Sequence, residues 1–271
     1  MTRRTLLTLS VAATASTGVS WARFVEPNYF ELTHTRVRLP GARPVRILHI
    51  SDIHMSDGMS AAELEIGFRA GLSQKPDLIC LTGDFVSETT GFDREGLSRL
   101  LRSAAAAAPT YAVLGNHDGG RWLAKWGGVR STGLMQDLIR SSGVNLLHNQ
   151  CAVLDGLALV GVGDYWSGQF APEQAFASAA RTGTTILLCH NPDAKSRLRH
   201  FRWDLMLSGH THGGQVRVPG VTPLWVPTAD KRFIAGLYGW EDRQLFITRG
   251  AGSPKHVRAF CRPEISVLDL V

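Results

Sequence analysis

Cysteine is scarce in this chain. There are four in 271 residues, Cys80, Cys151, Cys189 and Cys261, and no C-x-x-C pair among them, which excludes a zinc ribbon. Cys80 and Cys189 lie inside apolar runs and read as small core residues rather than reactive thiols. Cys151 and Cys261 could join after export, and the sequence leaves that open. Beyond the N-terminus no stretch reaches the ~20 apolar residues that a spanning helix needs. The formal charge of +6 and a pI near 9.5 would suit an anionic partner. Lys and Arg are scattered rather than massed, however, so no nucleic-acid partner is expected. G-x-S-x-G and G-x-x-x-x-G-K-[ST] are both missing, which removes serine-hydrolase and P-loop readings; Gly161-x-Gly163 is a lone, weak pattern. There is no internal repeat, no linker and no low-complexity tract beyond the alanines at 104–108. With 44% apolar residues the composition is that of one ordinary globular domain.

The first twenty-two residues are a different kind of text. "MTRRTLLTLSVAATASTGVSWA" has a basic start at Arg3-Arg4, a modestly apolar middle, and small residues at Ser20 and Ala22 suited to cleavage after Ala22. It resembles a twin-arginine export signal, whose passenger crosses the membrane folded; a plain secretory signal or an uncleaved inner-membrane anchor are the alternatives. Residues 1–22 are therefore expected to address the protein, with the twin-arginine or secretory machinery as partner. Residues 23–271 are expected to form the domain, working in the periplasm or on the outer face of the membrane, with peripheral membrane contact as an option.

From there short β-branched runs recur at 45–50, 77–82, 110–114, 157–162, 185–190, 204–208, 233–238, 244–248 and 265–270. Between the early ones, 61–74 and 94–107 place apolar residues at three- and four-residue intervals, as amphipathic helices do. Strand, helix, strand implies an α/β protein with a parallel sheet and helices packed outside. After about residue 204 the helices stop, and strands joined by Pro- and Gly-rich turns predict antiparallel pairs.

Each strand of the first set ends in polar residues: "SDIH" at 51–54, "TGDF" at 82–85, "GNHD" at 115–118, "CHNPD" at 189–193 and "SGHTH" at 208–212. Any one of these would pass for a turn. The ordered series does not, because ligands of such sheets bind beyond the carboxyl ends of the strands, where these loops converge. Asp52 and His54, two positions apart, point to one side. The converging atoms are the carboxylates of Asp52 and Asp84, the amide oxygen of Asn116, and the imidazoles of His54, His190, His210 and His212. Seven N and O donors are too many for one four-coordinate ion and suit two ions sharing a carboxylate. Without thiolates, mixed imidazole and oxygen donors favour Mn, Fe, Zn or Co. His34, His49, His148, His200 and His256 lack such company and are assigned to surface or core.

The series D-x-H, G-D, G-N-H-D, H and G-H-x-H, carried by Asp52/His54, Gly83-Asp84, Gly115 to Asp118, His190 and Gly209 to His212, resembles the calcineurin-like metallophosphoesterase signature over about 45–270. The text around it, including "LSGHTHGGQVRVP" and "CRPEISVL", looks closest to a bacterial twin-arginine-signalled branch, relatives of which act on UDP-2,3-diacylglucosamine in lipid A synthesis. The resemblance implies two packed mixed β-sheets flanked by helices, an α/β/β/α sandwich. It implies one ion held by Asp52, His54 and His212, a second by Asn116, His190 and His210, and Asp84 between them. A hydroxide bridging the ions would attack a phosphoester in line. His117 would then serve as the catalytic acid for the leaving oxygen. The substrate is expected to be a phosphodiester, phosphomonoester or pyrophosphate, lipid-linked in the alternative of a UDP-2,3-diacylglucosamine pyrophosphatase. A non-catalytic scaffold on the same fold is disfavoured, since all seven ligands and His117 are present.

One departure matters. Where the protein-phosphatase branch has an orienting Asp and a phosphate-gripping Arg after the bridging aspartate, this chain has Ser87 and Glu88. Asp118 or Asp164 is the expected substitute for the first, and Arg121, with Asp164, is expected near the substrate. Trp122, Trp126, Tyr165 and Trp166 are expected near the mouth, as ligand contacts or as packing under the loops.

Overall fold

Strands that are apolar on both faces need cover on both sides, and the chain supplies it by stacking two sheets and laying helices outside them. The computed structural model describes residues 17–88, 90–177, 179, 183–223 and 225–271. Its first sheet contains β1 (Glu31–Val37), β2 (Val45–Ile50), β3 (Leu78–Thr82), β4 (Thr110–Val113), β5 (Asn145–Leu146) and β12 (Glu264–Leu270), in the order β1-β12-β2-β3-β4-β5. The second contains β6 (Gln150–Leu154), β7 (Leu157–Gly161), β8 (Thr184–Leu188), β9 (Leu205–Ser208), β10 (Gly236–Trp240) and β11 (Arg243–Ile247), in the order β10-β11-β9-β8-β7-β6.

Alternation divides the side chains into three layers. Ile47, Leu78, Cys80, Ile186, Leu188 and Phe246 pack between the sheets. Leu48, Ile50 and Leu81 face away from the second sheet, toward Leu64 and Phe68 of α1 (Ala61–Leu72) and Leu97 of α2 (Arg94–Ala107). On the outer face of the second sheet, Leu187, Met206 and Leu245 pack with Trp203. Each fully buried side chain of this size contributes roughly 1.5–3 kcal/mol of transfer free energy. The expected α/β/β/α sandwich is the architecture found. Both long helices start where their caps dictate. Ser60 and Glu63 form a reciprocal capping box on α1, and the Asp93 carboxylate accepts the Gly96 N–H at 2.8 Å on α2. Three shorter helices follow: α3 (Arg121–Ala124), α4 (Gly133–Ser141) and α5 (Pro172–Phe176).

β1, β5 and β6 have no counterpart among the expected strands. β1 is a largely polar, half-exposed edge strand, β5 has two residues, and β6, also a half-exposed edge strand, carries an apolar run of only four residues, Cys151 to Leu154. In the C-terminal third, β10/β11 and β12/β2 are antiparallel as expected, but β11 runs parallel to β9 and β12 parallel to β1. The cause is topological: the chain crosses back to the first sheet and inserts β12 between two strands of opposite direction.

No helix among the described residues is long and apolar enough to cross a membrane. Arg3 and Arg4 lie outside the described residues. Just downstream, residues 21–28 form short helical turns docked on the domain: the Ala22 carbonyl accepts the Arg258 N–H at 2.9 Å, and the buried Glu26 carboxylate accepts the Cys261 N–H at 2.6 Å. No cysteine is in a disulfide. Cys151 lies on edge strand β6, whereas the buried Cys261 thiol donates to the His212 carbonyl at 3.3 Å.

His49 is in the core, as expected, between the sheets. Its Nε2 is 2.8 Å from Thr82 Oγ1 and its ring meets Phe246 edge-on. Burial pushes the imidazole down to about 3, against a weaker upward pull from Glu264. The unfolded chain therefore binds a proton that the folded one refuses between about pH 6.5 and 3. Stability from this group is complete above that window and falls by up to about 1.4 kcal/mol per pH unit within it. Denaturation at pH 7 and pH 5 should show a shallower pH slope for His49→Asn than for the wild type; equal slopes would remove His49 from the acid response.

Candidate metal centre

β2, β3, β4, β8 and β9 end side by side, and the loops that follow approach so closely that side chains are excluded at two points. A Cβ on Gly209 would stand 2.0 Å from Asp52 Oδ2, and one on Gly115 would stand 2.2 Å from Asp84 Oδ1. Asp52, His54, Asp84, His210 and His212 all hold left-handed backbone, with φ between 49° and 70°. That conformation costs an L-residue about 1–2 kcal/mol and persists where the surroundings enforce it. Here they do. The Asp118 carboxylate accepts the N–H groups of Asp84, Phe85 and Gly115 at 2.8–2.9 Å, tying the loops after β3 and β4 together. The amides of Ala251 and Gly252 bond the Ser51 and Asp52 carbonyls at 2.8 and 2.6 Å. Behind them the fully buried Arg258 guanidinium donates to the carbonyls of Arg249, Gly250, Gly252 and Cys261.

The structure brings the seven candidate ligands into two adjoining sets. Asp52, His54 and His212 offer donor atoms within 4.8 Å of one another, as do Asp84, His190 and His210. Asn116 Oδ1 is 3.2 Å from His190 Nε2. Asp84 Oδ2 links the two sets, lying 3.4 Å from His54 Nε2 and 3.2 Å from His190 Nε2, and Asp84, His54 and His117 form a third group whose donor atoms are within the same 4.8 Å. Each set draws on both sheets, with Asp52, His54, Asp84 and Asn116 following strands of the first and His190, His210 and His212 strands of the second. The outer ring nitrogens are partly engaged: His190 Nδ1 faces the Thr82 carbonyl at 2.7 Å, and His54 Nδ1 lies 3.3 Å from Ser87 Oγ. Such partners fix which nitrogen faces inward.

Electrostatics point the same way. Burial drives His54 and His212 well below the usual imidazole range and His210 to about 3, so these rings are neutral and able to ligate. Burial also opposes charge on Asp84, yet His190, His117 and His54 outweigh it and hold that carboxylate ionised. His190 is the converse case, pushed down by burial but up to about 10 by Asp84 and then Asp52. An anionic carboxylate crowded by imidazoles, with Asp52 opposite, is a donor set that fits divalent cations of the Mn, Fe, Zn or Co kind.

His117 is half-buried beside this cluster. Its N–H bonds Asp84 Oδ1 at 2.8 Å, and its Nδ1 faces the Ser87 carbonyl at 2.7 Å. Its ring stands edge-on to His54 at 4.9 Å and tilted on Trp122 at 4.7 Å. Neither carboxylate considered for orienting it performs that task here: Asp118 clamps the loops, and Asp164 accepts the Trp166 and Ser167 N–H groups within its own turn. Arg121 is exposed and lies along the same turn, its N–H donating to the Ser167 carbonyl at 2.9 Å. Ser87, Arg258 and Cys261 are contributors that the sequence did not single out for these tasks. Ser87 acts on His117 through its carbonyl, and the Arg258 guanidinium and Cys261 thiol act on carbonyls, which leave no signature in side-chain identity.

A sequence profile of the calcineurin-like phosphoesterase family matches residues 45–214, the segment that carries all seven ligands and His117. The chain belongs to this family. Among curated calcineurin-like relatives, phosphodiesterase YaeI of Escherichia coli (strain K12) is 38% identical over 276 residues, covering 99% of this chain and 98% of that protein. The UDP-2,3-diacylglucosamine pyrophosphatase LpxG of Chlamydia muridarum (strain MoPn / Nigg) is 30% identical over 314 residues, covering 97% and 95%. Metallophosphoesterase YkuE of Bacillus subtilis (strain 168) is 29% identical over 270 residues, covering 96% and 92%. The chain is a calcineurin-like, metal-dependent phosphoester hydrolase.

Proposed function

We propose that this enzyme uses two divalent ions to cleave a small or lipid-linked phosphodiester or pyrophosphate, with His117 handling the proton of the leaving oxygen. The observation that carries the reading is the setting of His117, fixed at its backbone by the carboxylate shared between the ligand sets and at Nδ1 by the Ser87 carbonyl. Asp52, His54 and His212 would hold one ion, Asn116, His190 and His210 the other, and Asp84 both. When bound, the pair supplies Lewis acidity and a nucleophile at neutral pH. The chain's own groups do the rest. With Nδ1 given to a carbonyl, His117 has Nε2 left for the substrate, where its protonated form donates to the departing oxygen. Trp122 against His117 and Trp166 against His210 wall one side and exclude water there.

The preference for a diester rests on Ser87 and Glu88. Ser87 Oγ is turned to His54, and Glu88 is exposed beside it, so no guanidinium follows Asp84 to grip a phosphomonoester dianion. A diester carries one charge less. A second reading, hydrolysis of UDP-2,3-diacylglucosamine, is favoured by the near full-length match to LpxG and by near-parallel Trp122 and Trp166, 6.2 Å apart, with the 76% exposed Trp126 beside them. The test compares kcat/KM for bis-p-nitrophenyl phosphate, p-nitrophenyl phosphate, a phosphopeptide and UDP-2,3-diacylglucosamine under one metal condition. The diester is expected to lead both the monoester and the phosphopeptide. A phosphopeptide turned over fastest would overturn the proposal, and selectivity for the UDP-lipid would promote the second reading.

We also propose that the enzyme works outside the cytoplasm, on the strength of Arg3-Arg4 and the apolar segment after them. Changing both arginines to lysine should leave the precursor in the cytoplasmic fraction; undiminished export would exclude the twin-arginine route.

A further inference from the structure

Several of the large apolar side chains that the domain leaves in water gather on one face. Trp21, Tyr29 and Phe260 wall a cleft of about 580 Å³, and Phe260 also walls the next one, of about 570 Å³, with Val218 and Val221. Phe260 is 70% exposed, Val218 62% and Val221 52%, and Phe24 on the docked N-terminal turns is 68% exposed. The two clefts are joined through the bridge between Val216 and Ala259 and through the Ala22 to Arg258 hydrogen bond. Exposed apolar side chains gathered beside clefts in this way point to an interaction site.

Its charge has one sign in effect. Glu26 is buried and bonded to Trp21 Nε1 and Cys261 N–H, Glu31 pairs with Arg249, and Asp230 pairs with Arg232. Arg217 and Arg262 stand among the apolar groups, and the Arg262 guanidinium lies 3.7 Å over the Tyr29 ring. Aromatic rings mixed with arginine and lysine are the composition of surfaces that sit at lipid headgroups. Phe260 adds a conformational argument. It holds φ of 51°, a region unfavourable for a bulky residue, and does so while pointing its ring at solvent. The fold would hold glycine there at lower cost.

We propose that this face rests on the headgroup region of an anionic lipid bilayer. Arg23, between Trp21 and Phe24, also lines the cleft that contains Ser87 and Glu88, so docking would set the approach to the metal centre against the lipid. The inference does not depend on which phosphoester is cleaved.

The test is flotation of the full chain with vesicles of phosphatidylcholine alone and of an equal mixture with phosphatidylglycerol. Wild type should partition to both and more strongly to the anionic mixture. Phe260→Gly combined with Val218→Ser should lower partition at least about tenfold, since each lost side chain removes well over 1 kcal/mol of apolar transfer. Arg217→Glu should abolish the preference for phosphatidylglycerol. Both variants should retain bis-p-nitrophenyl phosphate turnover, and Phe260→Gly should keep or raise Tm, which separates lost docking from lost folding. Wild-type flotation by both folded variants would overturn the proposal. So would a concentration-dependent dimer in sedimentation that the same substitutions dissociate, without vesicle binding, because the face would then be an interface between two copies.

Discussion

Asp84→Ala should leave a folded protein that binds neither ion tightly and turns over no phosphoester above background. The reason is geometric: Asp84 Oδ2 is the one atom within 3.4 Å of a histidine from each ligand set, and Oδ1 of the same carboxylate anchors the His117 backbone. One truncation therefore removes a shared ligand, the negative charge paired with His190, and the positioning of the proton donor. Removing any other single ligand spares at least one set, so its loss should be smaller. Metal content by elemental analysis together with turnover measures this directly. Two ions retained per chain with full activity would sink the assignment of Asp84 as the shared ligand.

His117→Ala should give the opposite signature, with both ions kept and turnover slowed by ~10²–10⁴, the usual contribution of a general acid. Its ring contributes no atom that the two principal ligand sets require, and the Asp84 contact to its backbone N–H survives truncation. The deficit should grow as the leaving group becomes more basic, because an alkoxide needs the proton and p-nitrophenolate does not. A Brønsted plot over leaving-group pKa, run for wild type and variant under one metal condition, separates this from a general loss of positioning. Parallel plots would assign His117 to substrate binding instead.

The candidate ligands stand out in the sequence because each is a rare residue type at the end of an apolar run, and a run of β-branched residues fixes both the strand and the place where it stops. Asp52 and His54 follow β2 directly, Asp84 follows β3, and His190 follows β8. The two main helices were legible for a similar reason: an apolar stripe and a capping residue specify them locally. What escaped was set by distant partners. β1 is a polar sequence that becomes a strand because β12, more than two hundred residues downstream, lies beside it. The orienter of His117 escaped because a carbonyl performs the task, and every residue has a carbonyl. Asp118 and Asp164 were sensible candidates by charge, but both Asp118 oxygens and Asp164 Oδ2 are engaged by backbone amides that only the folded loops bring to them.

The left-handed backbone at five of the ligands bears on the lineage as well as on the molecule. At about 1–2 kcal/mol each, those five conformations sum to roughly 5–10 kcal/mol, the same order as the net stability of an ordinary domain. Bound ions would offset that load. A descendant with no use for the ions would gain stability when His54, His210 or His212 changed to glycine or asparagine, residues that occupy such backbone more readily, whereas the Asp52 and Asp84 carboxylates also accept the buried His210 and His117 N–H groups. Disuse would then erase this centre faster than neutral drift alone, and would leave behind a sturdier protein with the same two sheets.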